Sequence, residues 1–211
     1  MKFARRSFIA AAVALSAAFA LPVAAQTAGK DYTLLNPAQP TDEPLKIEVT
    51  EFFSYGCGHC NDFHPILAAW VAKQPADVVV KRVPVSFNSY FAMIAPLYYA
   101  LEATGDLARL DGNVFRTIHG EGNRLADTQS RAAWAARNGL DAQKLDDTFR
   151  SFSVSSKVRR ADQQTQAYKI QGVPALAIDG KYLISGAEFN QQLAVAEQLI
   201  AKIRREKFGR K

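Results

Sequence analysis

The 211-residue chain contains two cysteines, and both stand in one four-residue motif, Cys57-Gly58-His59-Cys60. That placement removes a whole class of folds. Small secreted scaffolds distribute many cysteines to staple distant loops, and this chain has none to spare for that purpose. It must therefore fold on an apolar core, for which its length and its 48% of hydrophobic residues suffice. A loop closed between Cys57 and Cys60 would stabilise the fold by only about 2 kcal/mol through restraint of the unfolded chain. The pair is placed for chemistry rather than for stapling.

Residues 1–25 read as a signal peptide. Lys2, Arg5 and Arg6 make a basic start, an apolar stretch follows over 8–19, and Val23-Ala24-Ala25 offers small residues before a cut ahead of Gln26. The apolar run, broken at Pro22, is too short for a stable membrane span. No cysteine lies near the cut to carry a lipid. Arg5-Arg6-Ser7-Phe8-Ile9 also resembles part of a twin-arginine signal, so the export route stays open. The mature chain, 26–211, carries a formal charge of +3 instead of +6, because the leader holds three bases and no acid. Much of that excess lies in Arg204, Arg205, Lys207, Arg210 and Lys211, read here as a frayed, solvated tail. A nucleic-acid partner is not expected, since that needs a basic stripe on an ordered face.

Periodicity gives an α/β outline. Residues 26–44, with Pro37, Pro40 and Pro44, form an extended lead-in with an edge strand at 32–35. A strand over 45–53 places Leu45, Ile47, Val49, Glu51 and Phe53 on one face. Tyr55-Gly56 ends it, and a helix runs from near Cys57 to about 73 with a kink expected at Pro65. A second strand covers 77–85. From about 90 to 168 the pattern is helical. One helix, about 131–138, carries Trp134 and closes at Gly139. Another is capped by Asp141, with Leu145, Phe149 and Phe152 on its stripe. A third is capped by Ser155 or Ser156, turns Val158, Ala161, Thr165 and Tyr168 inward, and closes at Gly172. Strands at 175–178 and 181–184 flank an Asp179-Gly180 turn. A last helix buries Leu193, Ala196, Ile200 and Ile203.

A thiol must ionise before it attacks a disulfide. Cys57 at the first turn of a helix faces unpaired N–H groups and the positive dipole end, and His59, when charged, favours the thiolate further. Cys60 lies on the same helix face. These positions assign Cys57 as nucleophile and Cys60 as the buried resolving thiol. Cys57, His59, Cys60 and His64 also make four potential metal ligands. Structural zinc sites use two separated pairs, however, and the remaining histidine is His119, so neither metal nor cofactor is expected. Glu51, six residues before Cys57, becomes a proton acceptor for Cys60 if buried, and a plain strand-end acid if solvated. Lys81 or Arg82 is its expected partner. Pro174 in Gly172-Val173-Pro174-Ala175 is either a simple strand-start proline or a cis proline that leaves Val173 to pair with a substrate strand.

Glu51-Phe52-Phe53-Ser54-Tyr55 leading into the cysteine motif, with Gly172-Val173-Pro174-Ala175 and Asp179-Gly180-Lys181-Tyr182, resembles the DsbA family of periplasmic disulfide oxidases. The resemblance covers nearly all of the mature chain. It implies a thioredoxin fold over 26–211 interrupted by an inserted helical domain at about 90–168. It also implies an exposed nucleophilic Cys57, a cis Pro174 beside it, and Arg82 as the partner of Glu51. Unfolded exported proteins would be the substrates of a monomeric enzyme in the periplasm. Its reoxidant would be a membrane, quinone-linked partner of the DsbB type. Many members carry proline where this chain has Gly58, which leaves the strength of oxidation open and keeps an isomerase reading alive. Isomerases resembling DsbC carry an N-terminal dimerisation domain, for which 26–44 is too short. A periplasmic binding or chaperone module with a structural cystine or metal is the non-enzymatic alternative. With a Cys57 pKa of roughly 4, reached by some such motifs, the reduced protein would be more stable than the oxidised one at pH 7.

Overall fold

The structure, a computed structural model, describes residues 27–209. The expected signal peptide, Arg210 and Lys211 lie outside the described residues. Five strands, β1 (Thr33–Leu34), β2 (Ile47–Phe53), β3 (Val78–Pro84), β4 (Ala175–Ile178) and β5 (Tyr182–Ser185), form one sheet in the order β1-β5-β4-β2-β3. β2 pairs in parallel with β3 and antiparallel with β4, which places Glu51 opposite Arg82 on one side and Leu176 on the other.

All seven residues of β2 are buried. An alternating pattern foresees one buried face, but a central strand covered by helices on both sides has none to spare for solvent. The side chains of Ile47 and Val49 join Phe63 and Leu67 of helix α1 (Gly58–Val71) and Leu193, Ala196, Ile200 and Ile203 of helix α7 (Phe189–Phe208) in one apolar cluster. Phe52 and Phe53 belong to a second cluster that continues into the helices between β3 and β4. Leu45 is not part of the strand and is 86% exposed. The helix α1 continues through Pro65.

Five α-helices lie between β3 and β4: α2 (Ser89–Thr104), α3 (Leu107–Phe115), α4 (Thr128–Arg137), α5 (Ala142–Phe149) and α6 (Phe152–Ala167). A π-helical turn, Arg116–Gly120, extends α3. The side chains of Asn88, Asp127, Asp141 and Ser151 cap α2, α4, α5 and α6 by accepting from the third residue beyond, so four of the orphaned N–H groups at helix starts are satisfied locally. Trp134 is fully buried and donates to Asn113 at 2.8 Å, tying α4 to α3.

Three expectations about α6 are corrected. Its cap is Ser151, and Ser155 and Ser156 lie inside the helix, where their hydroxyls accept from Arg159. Phe152 opens α6 instead of extending the stripe of α5, and it is 82% exposed. The chain leaves α6 through Lys169, at φ 55, ahead of Gly172. The basic C-terminal segment is also not a loose tail as far as it is described. Arg204 makes a two-point contact with Asp77, and the ammonium of Lys207 sits between Asp179 and the Lys46 carbonyl.

Asp179 and Gly180 both take positive φ, 52° and 65°, in the three-residue connection 179–181, where the Lys181 N–H donates to the Ile178 carbonyl at 3.0 Å. A Cβ at Gly180 would stand 2.0 Å from the Gln39 carbonyl oxygen, whereas a Cβ at Gly139, also at positive φ, meets nothing within 4 Å. Gly139→Ala should lose about 1 kcal/mol from backbone conformation alone. Gly180→Ala should lose clearly more, because the lead-in must also move away. Urea midpoints of the two variants, measured side by side, check the order.

Candidate active site

The strand β2 delivers its last residues into a turn, Ser54 to Cys57, closed by the Cys57 N–H donating to the Ser54 carbonyl at 3.1 Å. Cys57 then becomes the N-cap of α1. Its φ of −93° and ψ of 120° are extended, and its sulfur accepts from the Cys60 N–H at 3.3 Å. A sulfur thus occupies the position that an oxygen fills at the other caps. The same sulfur lies 3.5 Å from the Val173 carbonyl, to which its S–H donates when the thiol is protonated. The Val173–Pro174 peptide bond is cis. Cys57 is part-buried, Gly58 and His59 are exposed, and Cys60 is fully buried.

The two thiols are driven apart. Hydrogen bonding from the Cys60 thiol, then from the main-chain N–H groups of Cys60 and His59, and last the charge of His59, lower the Cys57 pKa to about 6 against the opposing pull of burial. The donors around the sulfur therefore outweigh His59. Burial pushes the Cys60 thiol far above its ordinary value, reinforced by the Cys57 thiolate and by the charge of Glu51. At neutral pH the cap sulfur is ionised and the inner one holds its proton.

Behind the pair lies a chain of buried charges. Glu51 is fully buried and accepts from Arg82 Nε. Arg82 Nη1 donates to Asp111 of α3, which also accepts from the Tyr55 hydroxyl and lies 3.5 Å from His64 Nδ1. The guanidinium stacks over Phe53, its carbon 3.8 Å from the ring centre. Lys81 turns the other way, to Asp42 at 3.1 Å and Glu48 at 2.9 Å. Two carboxylates share the single Arg82 charge. Burial accordingly raises the Glu51 pKa, with Arg82 opposing and Asp111 adding to the rise. Glu51 Oε1 has no hydrogen-bond partner among the described residues.

Residues 82–198 match the DSBA-like thioredoxin domain family. Over 204 residues the chain is 41% identical to the thiol:disulfide interchange protein DsbA of Bordetella parapertussis, covering 95% of this chain and 97% of that one. The chain belongs to the DsbA family. The crystal structure of Pseudomonas aeruginosa DsbA superposes with a TM-score of 0.82 at 34% identity, over 86% of this chain and 96% of that chain. That of the Xylella fastidiosa oxidoreductase DsbA gives 0.81 at 27% identity, over 85% and 98%. The DsbA-family chain is a thiol:disulfide oxidoreductase on a thioredoxin fold with a helical insertion.

The structure brings Cys57, Cys60 and Val173 together, with His59 on the exposed dipeptide and Glu51 behind Cys60. Asp111 and His119 of this DsbA-family site had no local signal, Tyr55 was read only as part of the motif that ends the strand, and His64 only as a potential metal ligand. Asp111 is 29 residues from Arg82 and 56 from Tyr55 in sequence, and nothing in its neighbourhood singles it out.

A pKa near 6 changes the expected balance between redox forms. The depressed folded value stabilises the reduced state most above the unfolded thiol pKa and loses that contribution as pH falls through 6. At pH 7 one unit counts, at most about 1.4 kcal/mol and less after solvent screening of a part-exposed sulfur. The cross-link contributes about 2 kcal/mol in the opposite direction. The oxidised protein should therefore melt slightly higher at pH 7, and the gap should narrow between pH 6 and 8.5. Thermal melts of both forms check this. Alkylation of Cys57 should rise with a midpoint of about 6 while Cys60 stays unreactive.

Proposed function

We propose that this DsbA-family oxidoreductase donates a Cys57–Cys60 disulfide to unfolded, newly exported proteins in the periplasm. A substrate thiolate attacks Cys57, forming a mixed disulfide and expelling Cys60 as a thiolate, which takes up a proton. A second substrate thiolate then attacks the substrate sulfur of the mixed disulfide. The substrate leaves with a disulfide, and the enzyme keeps both electrons as the Cys57 thiolate and Cys60 thiol. The observation that carries this reading is the asymmetry of the pair: an exposed-side sulfur held as a thiolate beside a buried thiol held protonated. Cys57 is thereby the better leaving group, so electrons settle on the enzyme.

Glu51 fits as the proton carrier for Cys60, since burial raises its pKa and one of its oxygens is unpartnered. His59 supports the thiolate from the exposed dipeptide. Val173 and Pro174 form the wall against which a substrate strand docks, the Val173 carbonyl being released when Cys57 loses its S–H. Reoxidation would fall to a membrane, quinone-linked partner of the DsbB type, with the enzyme acting as a monomer. No helix among the described residues is long and apolar enough to cross a membrane. An isomerase role is a second reading, favoured by a Cys57 pKa near 6, which gives a weaker oxidant than a lower value would. The equilibrium of the pair with glutathione separates the two.

The assignment of roles is checked with a disulfide-bearing unfolded peptide. Cys60→Ala should attack it and remain linked through Cys57, whereas Cys57→Ala should trap nothing. Equal trapping by both variants contradicts the assignment. In the same assay Glu51→Gln should form the mixed disulfide at the wild-type rate and resolve it about a hundredfold more slowly. Stopped-flow traces with unchanged resolution would remove Glu51 from the mechanism.

A further inference from the structure

The residues just before Cys57 are held from the helical insertion as well as from the sheet they leave. The Tyr55 hydroxyl donates to Asp111 of α3 at 2.5 Å, and the Phe115 ring meets the Tyr55 ring edge-on with centroids 5.0 Å apart. A Cβ on Gly56 would lie 2.7 Å from Tyr90 and 2.9 Å from Phe91, so the first turn of α2 closes directly on the main chain there. The remaining group is the Tyr55 carbonyl. It sits inside the Ser54 to Cys57 turn, where no strand neighbour can serve it, and a main-chain acceptor without a donor is unfavourable. His119 Nε2 serves it at 2.8 Å.

His119 reaches that point because the helix changes its winding. It belongs to the π-helical turn Arg116–Gly120, and its ring lies nearly parallel to Phe115, at 27° with centroids 6.2 Å apart. Such turns are rare and are frequent at functional sites. A carbonyl can only accept, so the contact requires a proton on Nε2, which both the Nε2–H tautomer and the imidazolium supply.

We propose that His119 is a positioning residue for the nucleophile: by donating to the Tyr55 carbonyl it fixes the turn that sets the Cys57 sulfur against the Cys60 N–H and the Val173 carbonyl. The inference rests on Cys57 being the nucleophile. With the turn loosened, the sulfur loses the Cys60 N–H contact that favours its thiolate, although no group touching the sulfur has been changed.

The side chain is exposed, so its replacement leaves no hole in the core. His119→Leu removes the donor, and His119→Gln keeps an N–H near the position of Nε2. Iodoacetamide alkylation of Cys57 across pH, and equilibration of the pair with glutathione, are read for both variants and the wild type. His119→Leu should raise the alkylation midpoint by about one unit, which slows alkylation about tenfold at pH 5 and shifts the glutathione equilibrium toward the disulfide. His119→Gln should stay within about twofold of wild type. A purely structural role would lower the melting temperature of His119→Leu without moving its midpoint, and that result overturns the proposal. So does a His119→Gln variant as impaired as His119→Leu. A wild-type midpoint at the ordinary thiol value would instead sink the nucleophile assignment itself, and this inference with it.

Discussion

The guanidinium of Arg82 is a buried ionic link between the sheet and the helical insertion of this molecule. It projects from β3, pairs with Glu51 on the neighbouring strand, and reaches Asp111 on a helix of the insertion. Removing Arg82 would leave the buried Glu51 and the part-buried Asp111 without their shared cation, which is far more destabilising than never having had the group. The contact therefore fixes the insertion against the sheet at one angle. Tyr55, donating to the same Asp111, carries that constraint to within two residues of Cys57. Phe53, under the guanidinium, carries it into the aromatic packing of Tyr55, Tyr98 and Phe115.

The site built on this frame separates two chemically identical side chains by environment alone. Cys57 ends an extended segment and stands where helix N–H groups converge on its sulfur, while Cys60, three residues on, is driven into the core by the same helix. Half a protein's width is not needed for the difference, only one helical turn. Burial raises the pKa of the Glu51 carboxyl behind them, and the charge of Asp111 adds to the rise against the pull of Arg82.

Much of this was legible from residue order. The period-2 and helical patterns placed the sheet strands and the last helix to within a few residues, and the four-residue cysteine motif pointed to its own chemistry. Arg82 as the partner of Glu51 came from family resemblance, since Lys81 and Arg82 were indistinguishable by spacing; the parallel register between β2 and β3 puts Arg82 level with Glu51 and sends Lys81 to the opposite side. Local signals failed where competing residues sat close together. Ser151, Ser155 and Ser156 are equivalent as cap formers by type, and only the packing of Val154 and Ala161 selects the first. Asp111 and His119 were out of reach because their meaning depends on a tertiary approach between the segment 107–120 and the end of β2. No window along the chain contains both.

Gly58 has an unusual freedom within so constrained a site. A side chain there would meet nothing within 4 Å, whereas its neighbour Gly56 is gripped by two aromatic rings. One position can thus be exchanged without repacking anything, and it lies between the two sulfurs whose relative acidity sets which way electrons flow. At the other, any side chain would force the Tyr90 and Phe91 rings to shift. The architecture confines variation to a control surface: a descendant of this chain could be retuned along the scale from oxidant to reductant by substitution at a single exposed residue, with its core and its charge chain inherited intact.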